Sequence, residues 1–215
     1  MSTRQKFILF LRFSVFIIFL VLSVDGTLLA EGNLLQNPGF EVADSQSGRA
    51  LHWKYAARPN GNPEYMLIDD VKYEGNLSLL IQCKDRDKDR GWVTQNVIVE
   101  TEATYELSLW YRTEGMPLDI AGGPTLRLCA RNESGSPVNW QQEWVINDYT
   151  YLYWYQSQVT GGLFYIFGKA LAEGEWKQMK VLFKVGEGVT SIGVDLINWY
   201  SPGKVFFDDL ILLEK

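Results

Sequence analysis

From Asn33 to the end of the chain, short alternating or β-rich runs recur every ten to fifteen residues, with Gly, Pro, Asn or Asp between them. No stretch of helical periodicity is long enough to compete. Period-two alternation with turn residues at this spacing is the pattern of an antiparallel sandwich or jelly roll. It predicts strands over Leu34–Gln36, Ala50–Ala56, Glu64–Ile68, Leu77–Cys83, Trp92–Val99, Thr104–Thr113, Thr125–Arg131, Leu163–Phe167, Glu175–Val185, Thr190–Ile197 and Lys204–Leu213. The sixth run is the clearest. Tyr105, Leu107, Leu109 and Tyr111 share one face and read as core, whereas Glu106, Ser108, Trp110 and Arg112 share the other and read as exposed or site-lining. Likewise Leu126, Leu128 and Ala130 oppose Arg127 and Arg131.

The first thirty residues have a different logic. Arg4, Lys6 and Arg12 precede an apolar run from Phe13 to Val24, the layout of a secretory signal whose hydrophobic stretch is short for a spanning helix. Cleavage is expected near Gly26 or Ala30, leaving residues 31–215 as one domain in an oxidising, extracellular setting with no membrane anchor. Without the leader the chain carries 17 basic against 25 acidic residues, a net charge of −8, which argues against nucleic acid, anionic lipid and polyanionic sugars as partners. Cys83 and Cys129 are the only cysteines, and they read either as a disulfide or as two small core residues.

Little in the chain supports catalysis. His52 is the only histidine, beside Trp53, and reads as structural. The adjacent acidic pairs Asp69-Asp70 and Asp208-Asp209 point to opposite faces of a strand, so neither pair can act together on one substrate as a glycosidase requires. Binding is better supplied. Eight Trp and eleven Tyr, with Arg112, Arg127 and Gln95 on strands, are the residues that stack on the C–H face of a neutral sugar and bond its hydroxyls. The segment 136–162 is rich in rings, including Trp140, Trp144 and Trp154, and reads as an insertion between strands that either packs on the sandwich or offers a binding surface.

Along nearly the whole mature chain, motifs come in a recognisable order: N-L-L-Q-N-P-G-F-E (33–41), G-N-L-S-L-L-I (75–81), W-V-T-Q-N-V (92–97), Y-E-L-S-L-W (105–110), E-W-K (175–177) and V-F-F-D-D-L (205–210). The series resembles carbohydrate-binding modules of the family four, nine and twenty-two type, within the galactose-binding-like jelly rolls. That resemblance implies an all-β antiparallel sandwich and a non-catalytic, secreted module that recognises a neutral polysaccharide or oligosaccharide. It also implies one structural calcium, held by Glu41, Asp70 and Asp208 with carbonyls of Gly39 and Tyr73, with Asp209 an alternative to Asp208. The family's cleft maps to Trp92 and Gln95, to Trp140 or Trp144, and to Arg127; Trp110 and Arg112 join the candidates from their polar strand face. Gln95 shares a strand face with Val97 and Val99, which pulls it toward the core. An extracellular adhesin or other protein-interaction domain using the segment 136–162 is the alternative reading, with a glycoside hydrolase or polysaccharide lyase behind it.

Overall fold

The structure, a computed structural model, describes residues 32–117, 122–138, 144–146, 150–157, 161–168 and 173–215; for Trp144, residues 150–157 and residues 161–162 it gives the backbone alone. The expected leader and Trp140 lie outside the described residues. Among the described residues every regular element is a strand: β1 (Lys54–Ala57), β2 (Glu64–Ile68), β3 (Ser78–Cys83), β4 (Gly91–Ile98), β5 (Thr104–Glu114), β6 (Gly123–Arg131), β7 (Trp144–Ile146), β8 (Thr150–Ser157), β9 (Gly161–Gly168), β10 (Lys177–Lys184), β11 (Ser191–Trp199) and β12 (Gly203–Glu214).

These form two six-stranded sheets with only antiparallel neighbours. The front sheet runs β1-β4-β11-β6-β9-β8 and the back sheet β2-β3-β12-β5-β10-β7. The all-β jelly-roll architecture expected from the alternation is the one present. Its core is the layer where the inner faces meet. Val93 and Val97 of β4, Leu126 and Leu128 of β6, and Val194 and Leu196 of β11 come from the front. Leu107, Leu109, Val181, Phe207 and Leu212 answer from the back, all of them buried. Period-two alternation leaves the opposite side chains of each strand on the outer faces, and that division decides which residues can form a site.

Two expectations about elements change. Leu34–Gln36 forms no strand and is tied to β12 by single contacts: Leu34 donates its N–H to the Leu212 carbonyl (3.0 Å), and the Asn33 side chain donates to the Leu210 carbonyl (2.9 Å). Within the segment expected as an insertion, 144–146 pairs with β10 as an edge strand of the back sheet, and 150–157 pairs with β9 as an edge strand of the front sheet. These residues therefore widen both sheets. Cys83 and Cys129 lie on different sheets and are both free.

Candidate functional site

The outer face of the front sheet gathers rings around one cation. Trp92, Thr94, Asn96 and Ile98 alternate outward along β4, opposite the buried Val93, Gln95 and Val97. Cross-strand register then sets the neighbours: Trp92 faces Ile197, Thr94 faces Asp195, Asp195 faces Arg127, and Arg127 faces Tyr165. One row across four strands thus brings together β4, β11, β6 and β9.

In that row the Arg127 guanidinium lies 5.0 Å from the Trp92 ring centroid and 5.9 Å from that of Tyr165. Its Nε donates to Asp195 Oδ2 at 2.6 Å, and the Cys129 thiol donates to the same oxygen at 3.4 Å. Asp195 is only 4% exposed. Burial disfavours the charge on Arg127, but the Asp195 carboxylate, joined by Cys129 and Tyr165, outweighs it and holds the guanidinium above its ordinary value. Burial, and then the neighbouring Asp195, pushes the Cys129 thiol up to about 12. The aromatic chain continues from Tyr165 to Trp199 (5.0 Å between centroids) and from Trp199 to Tyr200 (4.9 Å), where the Arg90 guanidinium covers the Tyr200 ring at 3.5 Å. Beside this row, a groove of about 610 Å³ runs along β4, lined by Gln36, His52, Lys54, Thr94, Asn96 and Ile98 among others. The combination supplies flat apolar rings, guanidinium donors and carboxylate and amide acceptors on a partly buried surface.

Of the residues expected to bind ligand, Trp92 and Arg127 meet here. Gln95 borders the groove but is buried on the inward side of β4, where its amide accepts from Gln36 N–H (2.7 Å) and donates to the Gln36 carbonyl (2.9 Å). The alternation that set it beside Val97 prevails, and its role is to fasten the N-terminal segment. Trp110 and Arg112 project from β5 on the outer face of the back sheet. There Trp110 stacks on Tyr73 (4.0 Å, 14°), Trp176 meets the Tyr73 ring at 66°, and Arg112 pairs with Glu114 at 2.8 Å. Trp144 sits on β7, also in the back sheet. Trp140 is among the residues not described. Sequence reasoning missed Tyr165, Asp195, Trp199 and Tyr200. Alternation within the expected β9 and β11 runs carries the signal for the first two, but only the register shows that they adjoin Arg127.

The expected calcium ligands are partly drawn together. Asp208 and Glu41 both approach Gly39, where an added Cβ would lie 3.8 Å from Asp208 Oδ1 and 3.7 Å from Glu41 Cγ. Asp208 Oδ2 accepts from Tyr73 N–H (2.8 Å) and Glu74 N–H (3.2 Å), while Glu41 accepts from the N–H groups of Asn76 and Leu77 (2.9 and 3.1 Å). Burial pushes the Asp208 carboxyl up to about 6, and Asp209 is raised by burial and then by Glu74. Asp70 is exposed. Among the described residues no group of three or more His, Cys, Asp or Glu side chains is disposed to hold a metal. A hard cation here would therefore depend on backbone carbonyls beside Glu41 and Asp208, which calcium accepts.

At the level of sequence, neither a protein-family profile nor a curated protein matches this chain. Among solved structures, its fold is similar to the enzymatically active domain of tailspike protein 4 of bacteriophage CBA120, at 10% identity and a TM-score of 0.61 over 85% of this chain and 21% of that one. It is also similar to the N-terminal xylanase 10B of Clostridium thermocellum, whose CBM22-1 and GH10 modules were solved with xylohexaose (11% identity, TM-score 0.50, 86% of this chain and 29% of that one). TmCBM61, in complex with β-1,4-galactotriose, aligns with 85% of this chain and 99% of its own at 16% identity and a TM-score of 0.48. The chain spans about a fifth of the length of the tailspike chain and under a third of the xylanase. The first two likenesses carry the fold alone.

Proposed function

We propose that residues 31–215 form a secreted, non-catalytic module that lays a neutral glycan across the outer face of the front sheet. The observation that carries this reading is the row Trp92–Arg127–Tyr165, extended by Trp199 and Tyr200. Sugar rings stack their C–H faces on the half-buried rings of Trp92, Trp199 and Tyr200, with the buried Tyr165 ring backing Arg127, while Arg127 and the Asn96 and Thr94 side chains of the adjoining groove bond hydroxyls. The carboxylate of Asp195 is bonded to Arg127 at 2.6 Å, which suits it to holding a binding residue in place rather than to exchanging protons with a substrate. The leader-like start of the chain supports export. The test is a glycan array followed by titration of the responding oligosaccharide against wild type, Trp92→Ala and Trp199→Ala. Each lost stack should weaken binding by about 1–3 kcal/mol, by analogy with other ring-stacking contacts. Binding to no glycan, or equal binding by all three proteins, would refute the reading.

Structural calcium at Glu41 and Asp208, completed by carbonyls of Gly39 and Tyr73, is the second part of the proposal. When bound, calcium would add a charge that the buried Asp208 carboxylate lacks in its surroundings. Its place would be the junction of the N-terminal segment, the 69–77 loop and β12, away from the row of rings.

A further inference from the structure

The pairing of Arg127 with Asp195 does more than fix a side chain. Arg127 and Asp195 are register partners on β6 and β11, so the strands themselves present the two groups side by side. Nε of Arg127 is the atom engaged at 2.6 Å, which turns the rest of the guanidinium toward the space between Trp92 and Tyr165. The Asp195 side chain is 5% exposed and that of Arg127 15%, so solvent screens neither charge well. A ligand arriving over Trp92 meets the guanidinium directly, with the buried Asp195 carboxylate bonded to it.

Resting on the glycan-binding reading above, we propose that Asp195 sets the ligand class of this face: by neutralising Arg127 it makes the face select neutral glycans over glycans bearing a uronate carboxylate. A neutral hydroxyl can accept from the guanidinium or donate to the carboxylate, and surrenders little hydration in doing so. A uronate would have to shed its hydration shell, and its attraction to Arg127 would be cancelled by repulsion from Asp195. Asp195→Asn keeps the shape and an oxygen acceptor for Arg127 Nε while leaving the guanidinium uncompensated. Asp195 acts through Arg127, as a positioning and specificity residue.

The experiment compares wild type and Asp195→Asn on one array of oligosaccharides with matched backbones, neutral or uronate-bearing, followed by titration of the responding pair at low and moderate salt. Wild type should favour the neutral member. In the variant the affinity ratio should move about tenfold toward the uronate-bearing member, with the gain shrinking as salt rises. The double variant Arg127→Gln/Asp195→Asn removes both charges together: it should bind both members more weakly, having lost a binding residue, yet still favour the neutral one, and it carries the test should Asp195→Asn fail to fold. Neutral binding with an unchanged ratio in Asp195→Asn, or a double variant that prefers uronates, would overturn the inference and leave the glycan-binding reading standing; a wild type that already prefers uronates would overturn the inference and the neutral ligand class, leaving only glycan binding at this face. A wild type that binds no glycan would overturn both.

Discussion

Trp92 and Trp110 are both tryptophans on the outward side of a strand, and both precede a polar or charged outward neighbour, yet they belong to different sheets. Trp92 shares its surroundings with Arg127, whose guanidinium is the nearest charged group over its ring, so one side of the indole serves a surface. Trp110 is covered by Tyr73 in a parallel stack and thereby holds the 69–77 loop on the back sheet. The two substitutions to Ala should therefore separate cleanly. Trp92→Ala should lose glycan affinity with little change in melting. Trp110→Ala should retain affinity but cost about 1–2 kcal/mol, roughly 2–8 °C in melting temperature. Titration and melting curves on the same preparations read both, and a Trp110→Ala protein that binds ten times more weakly would mean that the back sheet takes part. Gln95 makes the same point: its residue type suits a sugar, but the strand's alternation turns it to Gln36 and the interior.

At the scale of elements, β12 shows how one irregularity builds a junction. Its pairing with β5 shifts register between Asp208 and Ile211, and Asp209 takes a φ of +45°. The bulge re-aims the chain so that Asp208 turns its carboxylate to the amides of Tyr73 and Glu74 while β12 continues pairing on either side. Gly75 completes the junction: its φ is +65°, and a Cβ there would meet Glu41 Oε1. If calcium binds this junction, chelation should lower the melting temperature and added calcium restore it, since a ligand of the folded state alone stabilises as RT ln(1 + [L]/Kd). Asp208→Ala should abolish the difference between chelated and calcium-loaded protein; identical melting of the wild type in both conditions, with no metal by elemental analysis, would remove calcium from the account. Strands whose inward set is continuous, such as β5 and β10, were legible because burial and alternation agree in them. The edge strands β7 and β8 were not, because the aromatic crowding of 144–155 masks their alternation and their partners lie in different sheets. In the same way Arg127 and Trp92 were legible as candidates from their strand faces, whereas Asp195 and Tyr165 became neighbours only through the register of β11 and β9.

Over the whole molecule, several acids are kept protonated by burial, and this makes alkali the revealing stress. Burial pushes Cys83 up to about 12 from 9.0, with Asp89 adding to the effect, and Cys129 rises to about 12 by burial and then Asp195. Burial likewise raises Tyr55, Tyr65 and Tyr105 above the ordinary 10.0. In each case the folded state holds its proton to higher pH than the unfolded chain does. Between pH 9 and 12 the unfolded chain has therefore lost protons that the native state retains, and stability falls as pH rises. Below about pH 8 these groups are almost wholly protonated in both states and contribute little slope. At pH 10 the two thiols should together cost on the order of 2 kcal/mol relative to pH 8, with the tyrosines adding to the loss above that. Denaturant midpoints at pH 8, 9 and 10 should fall slightly between the first two values and more steeply to the third. A Cys83→Ala/Cys129→Ala protein should show a shallower fall between pH 9 and 10, because it lacks the groups that titrate first, and its retained native fold at pH 8 serves as the control. The same burial keeps both thiols in their unreactive form, so neither should label with a thiol-directed reagent at pH 8 until the protein is unfolded. Labelling of the native protein at the rate of a free thiol, or a midpoint that stays level to pH 10, would show that Cys83 is less enclosed by the core, or Cys129 less covered on the outer face beside Asp195, than the structure makes them.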